Sequence, residues 1–253
     1  MTILVGGVSE LFQGDLDFGR RVVAQLADGQ LAEATSDEVL VDDLHYGAVA
    51  IAQRLQDVRP SLLVVVGAEA RGRPPGTLHR RRVVAQGLVP AQLRDIIADA
   101  VVGYVGIDLL TEVAEGLGAL PPRTVAIELE PALAEMSETM SPAADRLLPR
   151  ALAMIHTEVR RGPLLELADQ VRERMVGGRL GSSPLTDAVT DVLSALSVLD
   201  ARGEWAGTFA HKERLRNAIA AQAASPEADH LDWAQWWGLI EEIDRLGRLE
   251  IVE

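Results

Sequence analysis

The chain opens on a short apolar strand that runs into a carboxylate-rich loop and then into a helix. Thr2 to Val5 are β-formers, Gly6 and Gly7 permit a sharp exit, and the loop from Val8 to Gly14 leads to the acidic pair Asp15 and Asp17 ahead of Val22, Val23 and Leu26 at helical spacing. A start of this kind belongs to α/β architectures, which bind ligands beyond the carboxyl ends of their strands. The loop, with Glu10, Asp15 and Asp17, is therefore the first candidate for chemistry. Asp is also favoured at helix N-caps, so Asp15 or Asp17 can instead simply close the helix start.

The same alternation continues to residue 160. Strand-like runs follow at Glu38 to Asp42, Ser61 to Ala68 and Thr124 to Leu129, and a further one at Thr77 to Val84 has a charged middle that suits an edge. Helical periodicity falls at Phe18 to Ala27, Gly47 to Gln56, Ile107 to Leu117 and Pro142 to Thr157. The expectation is an α/β fold of three αβα layers around a mainly parallel, twisted sheet. Leu62 to Val66 is a continuous apolar run of the kind buried on both faces, so it belongs at the sheet centre.

The character changes at Arg160-Arg161-Gly162-Pro163, which divides an α/β domain of residues 1–160 from a helical extension of residues 161–253. In the extension Leu164 to Met175 is amphipathic, glycines punctuate at 177, 178 and 181, Ser183-Pro184 is an N-cap and first-turn pair for a helix through Leu199, and Trp233 to Leu246 is again helical. All four tryptophans lie between Trp205 and Trp237. They are expected to build the core of this appendage, the alternative being an aromatic docking face.

Composition removes several function classes. The formal charge of −14 at pH 7 comes from 22 acidic against 14 basic residues over 1–160 and 16 against 10 over 161–253, so neither part is a basic nucleic-acid module. With no cysteine there is no disulfide and no thiolate ligand, and any metal must be held by His, Asp or Glu. No run reaches the roughly 18 apolar residues that span a bilayer, and the first strand has no basic leader before it. These features together point to a cytoplasmic protein.

Three loops are expected to converge at the carboxyl edge of the sheet. The first carries Glu10, Asp15 and Asp17, the second Asp42, Asp43 and His45, and the third Glu69 with Arg71 and Arg73 behind it. Carboxylates and an imidazole from separate loops suit zinc or nickel, and a neutral His45 could serve as base or ligand. No G-x-S-x-G elbow is present for a serine hydrolase, and Gly6-Gly7-Val8-Ser9-Glu10 does not supply the G-x-G-x-x-G of a dinucleotide site.

The ordered segments of residues 2–160 resemble the hydrogenase maturation endopeptidases, which trim the C-terminal extension of the [NiFe]-hydrogenase large subunit. Their opening signature reads like VLGVGNPLRGDDGFGVRV, and VGGVSELFQGDLDFGRRV follows it without a gap, keeping Gly7, Gly14, Asp15, Phe18, Gly19 and Val22. PPGTLHRR (Pro74 to Arg81) is similar to the family's strand-opening PGT segment. LGALPPRTVAIELEP followed by MSPAADRLLPRAL, from Leu117 to Leu152, is similar to its closing strand, Glu-Pro and Ser-Pro-started helix. The resemblance implies a phosphorylase/hydrolase-like fold, and as partners the hydrogenase large subunit or other maturation factors.

The departures fall on the chemistry. The family's nickel-sensing site uses the second acid of GDD, an Asp ending the third strand and a His ahead of a glycine-bearing helix start, and those positions here are Leu16, Gly67 or its neighbour Val66, and Gly103. None can ligate a metal through its side chain. The family's DGGT turn falls on Asp42-Asp43-Leu44-His45. The favoured expectation is a pseudo-enzyme that keeps the partner-binding cleft without a cofactor. A displaced nickel or zinc site from Asp15 or Asp17, Asp43 or His45, and Glu69 would instead preserve the endopeptidase. A Rossmann-like small-molecule binder unrelated to hydrogenases is the third reading.

Overall fold

The computed structural model describes residues 1–26, 31, 35, 37–88, 92, 94–96, 105–177, 183–223 and 233–250. Its contacts divide the chain into two units, Met1–Arg160 and Arg161–Glu253.

The first unit is built on a five-stranded sheet of β1 (Thr2–Gly7), β2 (Glu38–Asp43), β3 (Leu62–Ala68), β4 (Leu78–Val83) and β5 (Arg123–Leu129), in the order β2-β1-β3-β5-β4. Every pairing is parallel except β4 with β5, so the sheet is mainly parallel with one antiparallel edge. All seven residues of β3 are buried at the centre, as an unbroken apolar run requires. Alternation along the strands sorts side chains to two faces. Ile3, Val5, Leu62, Val64, Val66, Val125 and Ile127 pack with Phe18 and Val22 of α1 (Phe18–Gln25) and with Ala151, Ile155 and Val159 further along the chain. Leu4, Leu63, Val65 and Ala126 pack on the opposite face with α2 (Ala48–Val58) and α3 (Ile107–Gly116). The result is the three-layer αβα arrangement.

The short α4 (Pro142–Asp145) starts on Ser141, whose hydroxyl caps the Ala144 N–H. The long α5 (Leu148–Gly177) does not break at Gly162-Pro163 as the sequence suggests, but carries Pro163 in its interior. A proline there forfeits one backbone hydrogen bond at a cost of about 3 kcal/mol. Leu164 and Leu165, both buried directly behind it, offset that by roughly 1.5–3 kcal/mol each.

The second unit is helical: the later part of α5 with α6 (Pro184–Arg202), α7 (Thr208–Ala223) and α8 (Trp233–Glu250). Its core includes Leu164, Val171, Val189, Leu196, Leu215, Ile240 and Ile243, together with Trp236. Ser183 caps α6 through the Thr186 N–H. The tryptophans divide: Trp236 is buried, Trp205 stacks on Phe209 and donates its indole N–H to Glu250 at 2.8 Å, and Trp237 is exposed. Among the described residues no helix is long and apolar enough to cross a membrane.

Candidate functional site

Four parallel strands finish at one edge of the sheet, where Gly7 lies opposite Asp43 and Val66, and Ala68 opposite Leu129. Antiparallel β4 begins there, with Leu78 opposite Leu129. The three loops singled out in the sequence all leave from this edge.

The glycines of the opening loop are explained by close approach. A side chain on Gly7 would meet the Gly19 carbonyl oxygen at 2.5 Å, and one on Gly19 would meet the Val8 and Val66 carbonyl oxygens at 2.1 and 2.5 Å. These two glycines let α1 start hard against β1 and β3. Gly14 adopts φ +57° with the Leu133 carbonyl 2.8 Å from where its Cβ would stand.

Asp15 is completely buried and neither caps α1 nor points into a cleft with free lone pairs. Its Oδ2 accepts the N–H groups of Ala132 and Leu133 at 2.8 and 3.0 Å and the Ser141 hydroxyl at 2.9 Å, while Oδ1 accepts the Ser141 N–H at 2.7 Å. One carboxylate thus ties the opening loop to the segment after Glu130-Pro131 and to the start of α4. Asp17 stands at the N-cap position of α1 but makes no capping bond. Its carboxylate pairs with Arg20 and Arg21 instead. Leu16, between them, packs partly buried against the core. Glu10 is held through its backbone, donating to the Leu16 carbonyl at 3.0 Å.

After β2, Asp42 pairs with Arg54 at 3.2 Å and Asp43 faces His45 Nδ1 at 3.3 Å, with that histidine largely exposed.

Charge is densest after β3 and β5. Glu128, fully buried within β5, receives Arg71 at 2.8 Å, Arg73 at 3.1 Å and Arg81 at 2.6 Å. Asp108, in the first turn of α3, is forked by Arg71 at 2.6 and 2.7 Å and bonded by Arg81 at 2.9 Å. Glu130 accepts the N–H groups of Arg71 and Gly72 at 2.9 and 3.0 Å, fixing the loop that carries the arginines. Burial would raise the Glu128 carboxyl, but hydrogen bonds from Arg71 and Arg81 outweigh it and hold it below the usual carboxylate range. The Arg71 fork does the same for Asp108. Glu69 moves the other way: burial first, then the negative charge of Asp108, pushes it up, although it accepts the Ile107 N–H at 3.0 Å.

The suggested ligands are therefore distributed. Asp15 is bound to backbone and to Ser141, Asp17 to arginines and Glu69 to the start of α3, while His45 Nδ1 lies 3.3 Å from an Asp43 oxygen that has no hydrogen-bond partner among the described residues. Among the described residues no group of three or more His, Asp or Glu side chains could hold a metal ion. Gly67 lies opposite Glu128, and a Cβ there would stand 2.9 Å from the Val8 carbonyl oxygen, while its neighbour Val66 turns into the α1 face. Gly103 lies outside the described residues. The residues present do not fit the metal site that the resemblance implies.

Sequence reading passed over Glu128, Asp108 and Arg81. The signal for Glu128 was a carboxylate inside the apolar strand TVAIEL, since a charge buried in a strand needs a cation beside it. Of the RRR run in β4 only Arg81 is its partner, its other two partners being Arg71 and Arg73 from the loop after β3.

Neither a protein-family model nor a curated protein sequence matches the chain. Solved structures do. Among the solved structures to which it is similar are hydrogenase maturation proteases. The hydrogenase 2 maturation peptidase from Thaumarchaeota archaeon SCGC_AB-539-E09 is 24% identical, over 61% of this chain and 95% of that one, with a TM-score of 0.43. For the hydrogenase maturating endopeptidase HybD of E. coli the values are 20%, 64%, 93% and 0.45. For the [NiFe] hydrogenase maturation protease HycI of Thermococcus kodakarensis KOD1 they are 18%, 63%, 92% and 0.43.

Proposed function

We propose that residues 1–160 form a hydrogenase-maturation-protease-like domain that acts without catalysis, as a binding or accessory factor in maturation of the [NiFe]-hydrogenase large subunit. The observation that carries this reading is the fate of the carboxylates at the sheet edge. Glu128 and Asp108 are saturated by Arg71, Arg73 and Arg81, and Asp15 by four N–H and O–H donors. A metal ligand needs free lone pairs facing a shared centre at about 2 Å, and these carboxylates have committed theirs. The motif residues retained from the resemblance, Gly7, Gly14, Asp15 and Gly19, shape and bind backbone, whereas Leu16 and Gly67 at the expected ligand positions offer no donor. What is kept is the frame, and what is changed is the chemistry.

Calorimetric titration of the full chain with Ni(II) and Zn(II) tests the proposal, alongside incubation with nickel-loaded large-subunit precursor. The expected result is no stoichiometric metal binding and no shortening of the precursor, with the two proteins associating. Micromolar binding lost on Glu69→Ala, or cleavage of the precursor, would establish a displaced active site instead. A chain that neither binds metal nor associates with the precursor returns the domain to the small-molecule-binding class.

A further inference from the structure

A second feature of the same sheet edge faces outward. The loop after β1 and the loop between β5 and α4 are stitched together: the Ser137 N–H donates to the Phe12 carbonyl at 2.9 Å and the Gly14 N–H to the Ser137 carbonyl at 3.2 Å. This brings Leu11, Phe12 and Met136 to one tip, and they are 44, 63 and 84% exposed. Phe12 holds φ +60°, a left-handed conformation that bulky residues rarely adopt. Its ring is not buried, so core packing does not compensate the strain. Strained, exposed apolar residues fixed by a rigid scaffold are characteristic of ligand clamps. The scaffold is Asp15, which anchors both loops from beneath.

Charge identifies the occupant. Glu10, Glu135 and Glu138 flank the three apolar residues in sequence, and among the described residues none of their carboxylates is paired with an arginine. Arg21 approaches this region, but it pairs with Asp17 and donates to the Glu138 backbone carbonyl, leaving that carboxylate uncompensated. An apolar tip flanked in sequence by carboxylates without an arginine partner, on a chain of net charge −14, repels a second copy of itself and an anionic lipid surface alike.

We propose that the Leu11-Phe12-Met136 tip is a docking element for a segment of a partner protein in which apolar side chains alternate with arginine or lysine. The inference rests on reading this sheet edge as a binding face, and it adds the chemistry of what is bound.

The test uses the full chain and a fluorescent synthetic peptide of alternating Leu and Arg, with a Leu/Glu peptide as its charge-reversed counterpart, read by anisotropy at low and physiological ionic strength. The Leu/Arg peptide is expected to bind and the Leu/Glu peptide not to bind. Phe12→Ser with Met136→Ser should weaken binding roughly tenfold at either salt, while Glu135→Gln with Glu138→Gln should weaken it and flatten its salt dependence. Unchanged affinity in the folded Phe12/Met136 variant would show attraction to the acidic chain as a whole and overturn the proposal. So would concentration-dependent self-association abolished by that variant, which would make a second copy the occupant. Metal titration is independent of this readout, so the tip and the non-catalytic reading can fail separately.

Discussion

Asp15 and Ser141 are joined twice, since Oδ1 of the aspartate accepts the serine N–H at 2.7 Å and Oδ2 accepts its hydroxyl at 2.9 Å. The same hydroxyl accepts the Ala144 N–H at 3.2 Å and so starts α4. Asp15→Ala strands these donors and the N–H groups of Ala132 and Leu133 in a buried site. At about 1–3 kcal/mol for each unsatisfied group, partly relieved by water, the expected loss is on the order of 3 kcal/mol. Ser141→Ala should cost about 1 kcal/mol, and the double variant less than the sum. Every tryptophan lies in 161–253, so the measurement is hydrogen exchange within residues 1–160 rather than tryptophan fluorescence.

Glu128 is buried among three guanidinium groups, and removing it leaves their charge uncompensated. Glu128→Gln is expected to destabilise the first unit by roughly 3 kcal/mol at neutral pH. The sign of the pH dependence follows from the depressed Glu128 and Asp108 carboxyls: their stabilisation is full above the ordinary carboxylate range near pH 4 and is lost as pH falls through the lower folded values. The stability gap between wild type and variant should therefore persist down to about pH 4 and close only below it. A gap already closed at pH 5 would contradict the depression.

The sheet could be read from the sequence because its strands obey a simple rule: a run buried on both faces is wholly apolar, as in Leu62 to Val66, and a charged run such as HRRR sits at the edge. The site was less legible. Asp15 looked like a cap or a ligand because a loop aspartate ahead of a helix satisfies both patterns locally. Its partners are more than a hundred residues away, and periodicity carries no information about them. Gly162-Pro163 misled for the same reason, since burial of the leucines that follow decided the helix.

Glu69 makes the opposite pH prediction from Glu128. Its carboxyl is pushed up by burial and by Asp108, so keeping it charged at neutral pH opposes folding. Glu69→Gln retains an acceptor for the Ile107 N–H and is expected to raise stability modestly at pH 7. The gain should shrink as pH falls through the raised value and vanish below about pH 4, where the acid is protonated in both states. Loss of stability at pH 7 would assign Glu69 a favourable ionic role that its surroundings do not support.

In the helical unit, Arg161 and Glu250 pair at 2.6 Å, both nearly buried, and the Trp205 indole N–H shares the carboxylate at 2.8 Å. Glu250→Ala leaves a buried guanidinium and an orphaned indole, for an expected loss of about 3 kcal/mol. Here tryptophan fluorescence is the appropriate probe. The Trp205 emission should shift red as the variant loosens, while hydrogen exchange in residues 1–160 stays as in wild type.

Gly67 decides whether the expected metal ligand could be restored by substitution. Its Cβ would stand 2.9 Å from the Val8 carbonyl oxygen, and Val8 is held there by its own N–H bond to the Val66 carbonyl at 2.8 Å. A backbone atom pinned in that way cannot yield as a flexible side chain does. Gly67→Ala is therefore expected to destabilise by about 1–3 kcal/mol through overpacking alone. Gly67→Asp adds a carboxylate beside the Glu128 strand and should destabilise further, without producing calorimetric binding of Ni(II) even when combined with Leu16→Asp and Gly103→His. If the triple variant folds and binds nickel, the site was lost through its side chains only. If it folds and does not bind nickel, the approach of Val8 has closed the position, and loss of the ligand is built into the backbone of this chain.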